Sequence, residues 1–167
     1  TITEETVRGY NTYAKMNPPL RTWKDVQAIK EGLRDGTIDV IATDHAPHAT
    51  QEKQLGFTEA PFGIVGLETA LPLTLALVDE GVLSLESAVD KLSTAPAKAF
   101  GLAKGTLAVG ADADVAIVDQ QEQWEVDPAK FRSKSRNTPF AGWKVKGRVT
   151  TTIVGGRVVF ETGQAEK

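Results

Sequence analysis

The sequence has 167 residues, of which 41% are apolar and 25% are charged, a composition typical of a globular protein. Its formal net charge is −3 with charges of both signs scattered along the chain, so we expect no nucleic-acid partner. No segment reaches the ~18 consecutive apolar residues of a membrane span, so we expect no membrane partner either. The absence of cysteine excludes disulfides and thiolate metal ligands and fits a cytoplasmic protein.

The first predicted helix follows the extended segment NPPLR. Thr22 is a candidate N-cap with Asp25 three residues later, which is an acidic version of the capping box. Gly36 is a candidate stop for this helix. Residues 38–43 then form a short, continuous apolar run with β-branched side chains. That pattern predicts a strand buried on both faces, as in a parallel sheet.

Further along the chain, residues 64–80 are apolar on nearly every side and predict a buried helix. Ser84 is the candidate cap of another helix. After Gly105 the pattern changes to short strands separated by glycine turns, and VGGRVV predicts a hairpin. We therefore predict two parts, an α/β part over residues 1–104 and a small β-rich domain over residues 105–167.

The side chains with the most evident chemistry lie in IATDHAPHAT, residues 41–50, which contains the only two histidines of the chain. Asp44 directly follows the predicted parallel strand, at the end where α/β barrels place catalytic residues. A carboxylate at that position can bind a metal ion and can transfer a proton. The alternative is that Asp44 caps the following turn, and the spacing alone leaves both interpretations open.

The two histidines have different expected roles. His48 lies in a proline-containing loop, where an imidazole can bind a substrate carboxylate; the alternative is a solvated loop histidine. His45 is the immediate neighbour of Asp44, so we expect it to point elsewhere and to support the structure. A catalytic zinc ion needs about three protein ligands, which is more than this cluster can bring to one ion.

Several segments together resemble the carboxyl-terminal part of bacterial dihydroorotases, which belong to the amidohydrolase superfamily. These segments are KMNPPLR, IDVIATDHAPH, APFGIVGLETALPL, GADADVAIVD and SKSRNTPFAGWKVKGRV. The resemblance runs through essentially the whole chain, and DHAPH followed by PFG is specific to dihydroorotases among their relatives. It implies an α/β fold, namely the carboxyl-terminal part of a (β/α)8 TIM barrel with a binuclear zinc (Zn2+) centre, plus a small β-sandwich-like domain.

The resemblance also implies a reaction and the residues that carry it. Dihydroorotases catalyse the reversible ring closure of N-carbamoyl-L-aspartate to L-dihydroorotate in pyrimidine biosynthesis. Asp44 corresponds to the family's acid that binds one zinc ion and transfers the proton. Asn17 and His48 correspond to side chains that hold the substrate carboxylate, and Phe62 and Gly63 to backbone that holds the pyrimidine ring. On the residues alone, Asn17 is better explained as a turn former before the two prolines, and Gly63 is also explained as a turn glycine.

The family's other zinc ligands and its substrate arginine have no match in this sequence. A complete barrel needs about 250 residues, so we expect an amino-terminal segment of the same enzyme as partner and no activity from the chain alone. A second copy in a homodimer and aspartate transcarbamoylase are further candidate partners. Two other functions stay open: a non-catalytic scaffold that assembles with aspartate transcarbamoylase, and an allantoinase or hydantoinase.

Overall fold

The computed structural model describes residues 1–163; residues 164–167, which end the predicted β-rich domain, lie outside the described residues. The helices are α1 (Trp23–Asp35), α2 (Thr50–Lys53), α3 (Leu67–Asp79), α4 (Leu85–Val89) and α5 (Ala95–Ala99), and the strands are β1 (Val115–Glu125), β2 (Lys144–Val154) and β3 (Arg157–Glu161). Short 3₁₀ turns lie at Glu4–Val7, Thr12–Ala14 and Pro128–Lys130, and a π-helical turn, Asp90–Thr94, joins α4 to α5. Among these helices none is long and apolar enough to cross a membrane.

Helix α1 begins and ends where the sequence predicts. The Asp25 N–H donates to Thr22 Oγ1 over 3.4 Å, and the Thr22 N–H donates to Asp25 Oδ2 over 3.0 Å, so the predicted capping box is confirmed. The Thr22 hydroxyl also donates to Asp25 Oδ2 over 2.6 Å, and this hydrogen bond, together with the one from the Thr22 N–H, lowers the pKa of the Asp25 carboxyl group. Gly36 ends the helix with a φ of 84°, a left-handed conformation that glycine adopts without steric cost.

Residues 38–43 form no strand, so the prediction of a buried strand is wrong for the described chain. The segment is instead hydrogen-bonded to the π-helical turn Asp90–Thr94 that follows α4. The Ile41 N–H donates to Lys91 O over 3.0 Å, and the buried Lys91 Nζ donates to Ile38 O over 2.5 Å. A strand requires hydrogen-bonded neighbours, and the single sheet of residues 1–163 is an antiparallel one built from later residues. None of residues 38–43 is buried, and Asp39 and Ala42 are exposed, so the segment has neither the partner strands nor the burial that its apolar pattern predicted.

The three strands form one antiparallel sheet in the order β1-β2-β3. Val115 of β1 pairs with Ile153 of β2. The predicted hairpin is confirmed, because β2 and β3 are joined through Gly155 and Gly156, whose φ angles of 54° and 75° suit a type I′ turn. The β-rich character of this part is thus confirmed. A sandwich needs a second packed sheet, and residues 1–163 supply only one, so the sandwich is not confirmed.

The apolar core consists of two clusters. The first lies between α1, α3 and α4 and contains Leu33, Leu77, Val82, Leu83 and Ala88. The second contains Val65, Val126, Phe131 and Phe140. Because the second cluster takes residues from both sides of position 104, the two predicted parts share packed apolar surface. The division at this position stays a prediction.

Helix α3 is the predicted buried helix, but it starts three residues later than expected. The residues before it are engaged in other hydrogen bonds: Ile64 O accepts from Ala46 N–H over 2.9 Å, and the Val65 N–H donates to Asn137 O over 3.0 Å. An ion pair of 2.9 Å between Asp79 and Lys146 joins the far end of the helix to β2. The amino-terminal end of α3 is thus held against two loops, and these carry the candidate site.

Candidate functional site

Two loops meet at the amino-terminal end of α3 and contain most of the predicted site residues. We call residues 44–48 the histidine loop and residues 61–66 the glycine loop. The hydrogen bond from Ala46 N–H to Ile64 O places them side by side. In the sequence the two loops are connected by residues 49–60, which contain α2.

Asp44 begins the histidine loop with its side chain exposed. Its φ of 42° lies in the left-handed region, which aspartate and asparagine tolerate better than other residues with a Cβ. Within residues 1–163 the carboxylate makes no hydrogen bond or ion pair. The alternative role as a turn cap requires such a hydrogen bond. The carboxylate is therefore free to meet an external group.

His48 ends the histidine loop and contacts the glycine loop. Its Nε2 lies 2.8 Å from Phe62 O, and because a carbonyl oxygen can only accept, Nε2 carries the hydrogen. Its Nδ1 lies 3.8 Å from Glu52 Oε2, and the side chain is 25% exposed. The ring is thus held in a fixed orientation, in contrast to the alternative of a freely solvated loop histidine.

Gly63 lies where the histidine loop leaves no room for a side chain on the glycine loop. Its φ is 115°, and a Cβ built on it would lie 2.4 Å from Ala46 Cβ and 3.5 Å from His48 Nε2, so no larger residue fits without displacement. The Gly63 N–H donates to Lys15 O over 2.9 Å. This hydrogen bond brings the segment that carries the exposed Asn17 beside the two loops.

Two buried lysines, Lys15 and Lys53, contact the glycine loop, and neither was a predicted site residue. Lys53 Nζ donates to Pro61 O over 2.8 Å and to Gly63 O over 3.1 Å. Lys15 Nζ lies 4.4 Å from the centre of the Phe62 ring, which is 53% exposed. Burial lowers the pKa of Lys53, and the charge of Lys15 lowers it further. Lysine is normally a surface residue, so no pattern in the sequence marks this pair.

His45 faces α3, as expected of a supporting residue. Its Nδ1 accepts hydrogen bonds from Gly66 N–H over 3.1 Å and from Leu67 N–H over 3.4 Å. The first N–H groups of a helix have no partner within the helix, and the N-cap residue Gly66 has no side chain to supply one. The imidazole therefore caps α3 from another loop, with the ring hydrogen on Nε2.

We expect His45→Ala to lower the free energy of unfolding by about 1 kcal/mol, the usual cost of a lost helix cap. His45→Asn is the matched control, because its Oδ1 can accept at the position that Nδ1 now occupies and so retains most of the cap. Urea unfolding of both variants measures the difference. Equal destabilisation by the two substitutions would contradict the capping role.

Asn137 is a further residue that the sequence analysis did not single out. It lies in the SKSRNTPFAGWKVKGRV segment, which supported the resemblance without suggesting a role. The residue is only 1% exposed, and its side-chain amide contacts both the histidine loop and the glycine loop. The only signal available in the sequence was an asparagine before Thr-Pro, far along the chain from the histidine-containing segment that it contacts.

The described residues can provide only part of a metal site. In residues 1–163 no three His, Cys, Asp or Glu side chains come together. His45 Nδ1 and His48 Nε2 are hydrogen-bonded within the chain, whereas the Asp44 carboxylate has no partner in residues 1–163. One carboxylate fits one position of a catalytic zinc centre, which takes about three protein ligands.

Comparison with known sequences assigns a family. Residues 5–159 match the description "Amidohydrolase family". A dihydroorotase of Geobacter sp. (strain M21) is 57% identical over 163 residues, which cover 98% of this chain and 38% of the relative. A dihydroorotase of Syntrophotalea carbinolica is 59% identical over 160 residues, with 96% and 38% covered. The resemblance to dihydroorotases is confirmed, and the chain spans 38% of the length of these curated relatives.

Solved structures share the fold. The L-hydantoinase (dihydropyrimidinase) from Arthrobacter aurescens superposes with a TM-score of 0.91 at 38% identity, covering 99% of this chain and 38% of that one. The dihydropyrimidinase from Brevibacillus agri gives 0.86 at 31% identity, with 92% and 35% covered. These likenesses confirm the predicted α/β amidohydrolase fold for the chain.

Proposed function

Because the chain belongs to the amidohydrolase family, we propose that it is one part of a dihydroorotase, a zinc-dependent cyclic amide hydrolase. The complete enzyme interconverts N-carbamoyl-L-aspartate and L-dihydroorotate with loss or gain of water, as a step of pyrimidine biosynthesis in the cytoplasm. The observation that carries this proposal is the Asp44 carboxylate, unpaired within residues 1–163, in the histidine loop that packs against the glycine loop through His48 and Gly63. The names of the relatives at 57% and 59% identity support it.

Asp44 is proposed to be the proton carrier. In the hydrolytic direction it accepts a proton from the attacking water or hydroxide and then delivers it to the ring nitrogen that leaves. Such general acid–base catalysis needs a carboxylate within hydrogen-bond reach of the reacting atoms and free of competing partners in the protein. Asp44 meets the second requirement within residues 1–163.

The substrate carboxylate is proposed to bind between Asn17 and His48. The exposed Asn17 side chain carries an amide with two donor hydrogens, and the hydrogen bond from Gly63 N–H to Lys15 O brings its segment beside the loops that carry His48. The backbone of Gly63 already donates to Lys15 and accepts from Lys53. Phe62 O likewise accepts from His48 Nε2, so contacts with the pyrimidine ring are assigned to the N–H and the exposed ring of Phe62. Gly63 serves by allowing the loops to approach closely.

The zinc centre is proposed to lie at Asp44, with its other ligands supplied by the segment that completes the barrel. A zinc ion polarises a carbonyl group and makes a hydroxide nucleophile available near neutral pH. The chain itself contributes the Asp44 carboxylate as one ligand, because this carboxylate has no competing partner in residues 1–163. A binuclear centre is therefore expected only in the complete enzyme.

The main partner is proposed to be an amino-terminal segment of the same enzyme. The chain spans 38% of its dihydroorotase relatives, and residues 38–43 lack the neighbouring strands that a barrel would place beside them. The same segment would supply the second layer of the small β-sandwich-like domain at residues 105–167, with residues 1–104 in the barrel. Homodimer formation and binding to aspartate transcarbamoylase remain proposals for the whole protein.

The test compares the 167-residue chain alone with the complete enzyme. We expect stoichiometric zinc and cyclisation of N-carbamoyl-L-aspartate in the complete enzyme, and neither in the chain alone. Metal analysis after gel filtration and a chromatographic assay of L-dihydroorotate provide the two measurements. Tight binding of two zinc ions by the isolated chain would contradict the single-ligand argument, and a complete protein with neither zinc nor turnover would indicate a scaffold.

A hydantoinase is the second candidate, favoured by the TM-score of 0.91 with an L-hydantoinase. Hydantoin derivatives lack the carboxylate that we assign to Asn17 and His48. A complete enzyme that hydrolyses hydantoins or allantoin but not L-dihydroorotate would therefore decide for this alternative.

A further inference from the structure

The side chain of Asn137 joins the two loops of the candidate site through every polar atom it has. Its Oδ1 accepts from His48 N–H over 3.2 Å. Its Nδ2 donates to Ala46 O over 2.9 Å and to Gly63 O over 3.2 Å. In addition, its backbone oxygen accepts from Val65 N–H over 3.0 Å. One residue thus holds both loops from a distant part of the sequence.

The chemistry of these contacts requires an amide. Two carbonyl oxygens need donors and one N–H needs an acceptor, all at a position that is 1% exposed. Only a primary amide of this length offers two donors and an acceptor from one planar group. Replacement by alanine leaves the His48 N–H and Ala46 O without a partner in residues 1–163, whereas Gly63 O retains Lys53 Nζ. Buried polar groups that lose their partners destabilise the loops that carry them.

We propose that Asn137 is a positioning residue that sets the relative placement of His48 and the glycine loop. This inference rests on the proposed function, because the consequence it predicts is weaker binding of the substrate carboxylate. Asn137 holds the backbone of His48, and His48 Nε2 in turn holds Phe62 O. A shift of the His48 backbone therefore moves the imidazole and the ring-binding backbone together. Asn137 itself touches no substrate.

The expected result concerns the Michaelis constant more than turnover. Asn137→Ala in the complete enzyme should raise KM for L-dihydroorotate roughly 10- to 100-fold, the scale of losses caused by misplacing binding groups by about 1 Å. The kcat should change less than KM, because none of the Asn137 side-chain hydrogen bonds in residues 1–163 goes to Asp44. Thr74→Ala is the matched control, since Thr74 is also buried and its hydroxyl bonds only within α3. We expect that control to change KM less than about twofold.

A double-mutant cycle separates positioning from general destabilisation. If Asn137 acts through His48, Asn137→Ala should raise KM only slightly, about twofold, in a His48→Ala background, while its effect on the unfolding midpoint stays the same. A full effect on KM in both backgrounds would overturn the inference.

Amide hydrogen exchange of the unmodified enzyme provides a test that needs no variant. The His48 and Val65 N–H groups should exchange slowly, because both donate to the buried Asn137. Fast exchange of the His48 amide in the folded enzyme would overturn the inference even if Asn137→Ala does not fold. A wild-type enzyme without cyclisation activity overturns the proposed function and the inference together. If the wild type is active but the effects of Asn137→Ala and His48→Ala on KM are additive, the inference alone is overturned.

Discussion

Asp44→Asn in the complete enzyme should lower kcat by roughly 10²- to 10⁴-fold, the range that general acid–base groups contribute. Asparagine retains the size of the side chain and also tolerates the left-handed backbone at φ 42°. It cannot, however, accept and return a proton. The loss should therefore appear in steady-state turnover of both N-carbamoyl-L-aspartate and L-dihydroorotate, with an unfolding midpoint close to that of the wild type.

Asp39→Asn is the matched control for this experiment. Asp39 is also an exposed acid, it lies five positions before Asp44, and it makes no hydrogen bond or ion pair in the part of the chain that the structure describes. The same loss of one negative charge there should leave kcat within about twofold. If Asp44→Asn also stays within a few-fold of the wild type with zinc bound, the assignment of the proton carrier is wrong.

Gly63→Ala should both destabilise the protein and weaken substrate binding. The added Cβ would lie 2.4 Å from Ala46 Cβ, and the φ of 115° disfavours any residue with a side chain. Overpacking of this kind costs about 1 to 3 kcal/mol, and an unfavourable backbone conformation costs a similar amount. We expect a lower midpoint in urea unfolding and a higher KM for L-dihydroorotate, because the histidine loop must move away.

Two variants separate the causes of this effect. Gly36→Ala places an alanine at φ 84° with no atom within 4 Å, so it measures the backbone cost alone, about 1 to 2 kcal/mol. The double variant Gly63→Ala/Ala46→Gly removes the overlapping Cβ and should recover the packing part of the loss. No recovery in the double variant would show that the contact between Gly63 and Ala46 is not the cause.

Local patterns predicted the elements whose interactions lie within a few residues. Thr22 and Asp25 are three positions apart and form the expected capping box. Gly155 and Gly156 are adjacent and make the expected hairpin turn. In both cases the hydrogen-bond partners or required dihedral angles belong to neighbouring residues, so composition and spacing carry the information.

Predictions were wrong or not confirmed where an element depends on partners that are distant in the sequence or that residues 1–163 do not contain. The run at residues 38–43 is apolar enough for a buried strand, but a strand forms only against neighbours. The second layer of the β-sandwich is not confirmed for the same reason, since residues 1–163 contain a single sheet. Apolar patterning predicts burial, whereas the partner against which a segment is buried belongs to the tertiary structure.

The same distinction between local and distant interactions applies to the candidate site. Residue type and spacing alone identified Asp44 and His48 as candidates and placed His45 in a supporting role. Only the tertiary structure decided that His45 caps α3, that Lys15 and Lys53 hold the glycine loop, and that the Asn137 amide bonds to His48 across 89 positions. The physical reason is that a buried hydrogen bond depends on distance and direction in space, and neither follows from the order of residues when the partners are far apart in the chain.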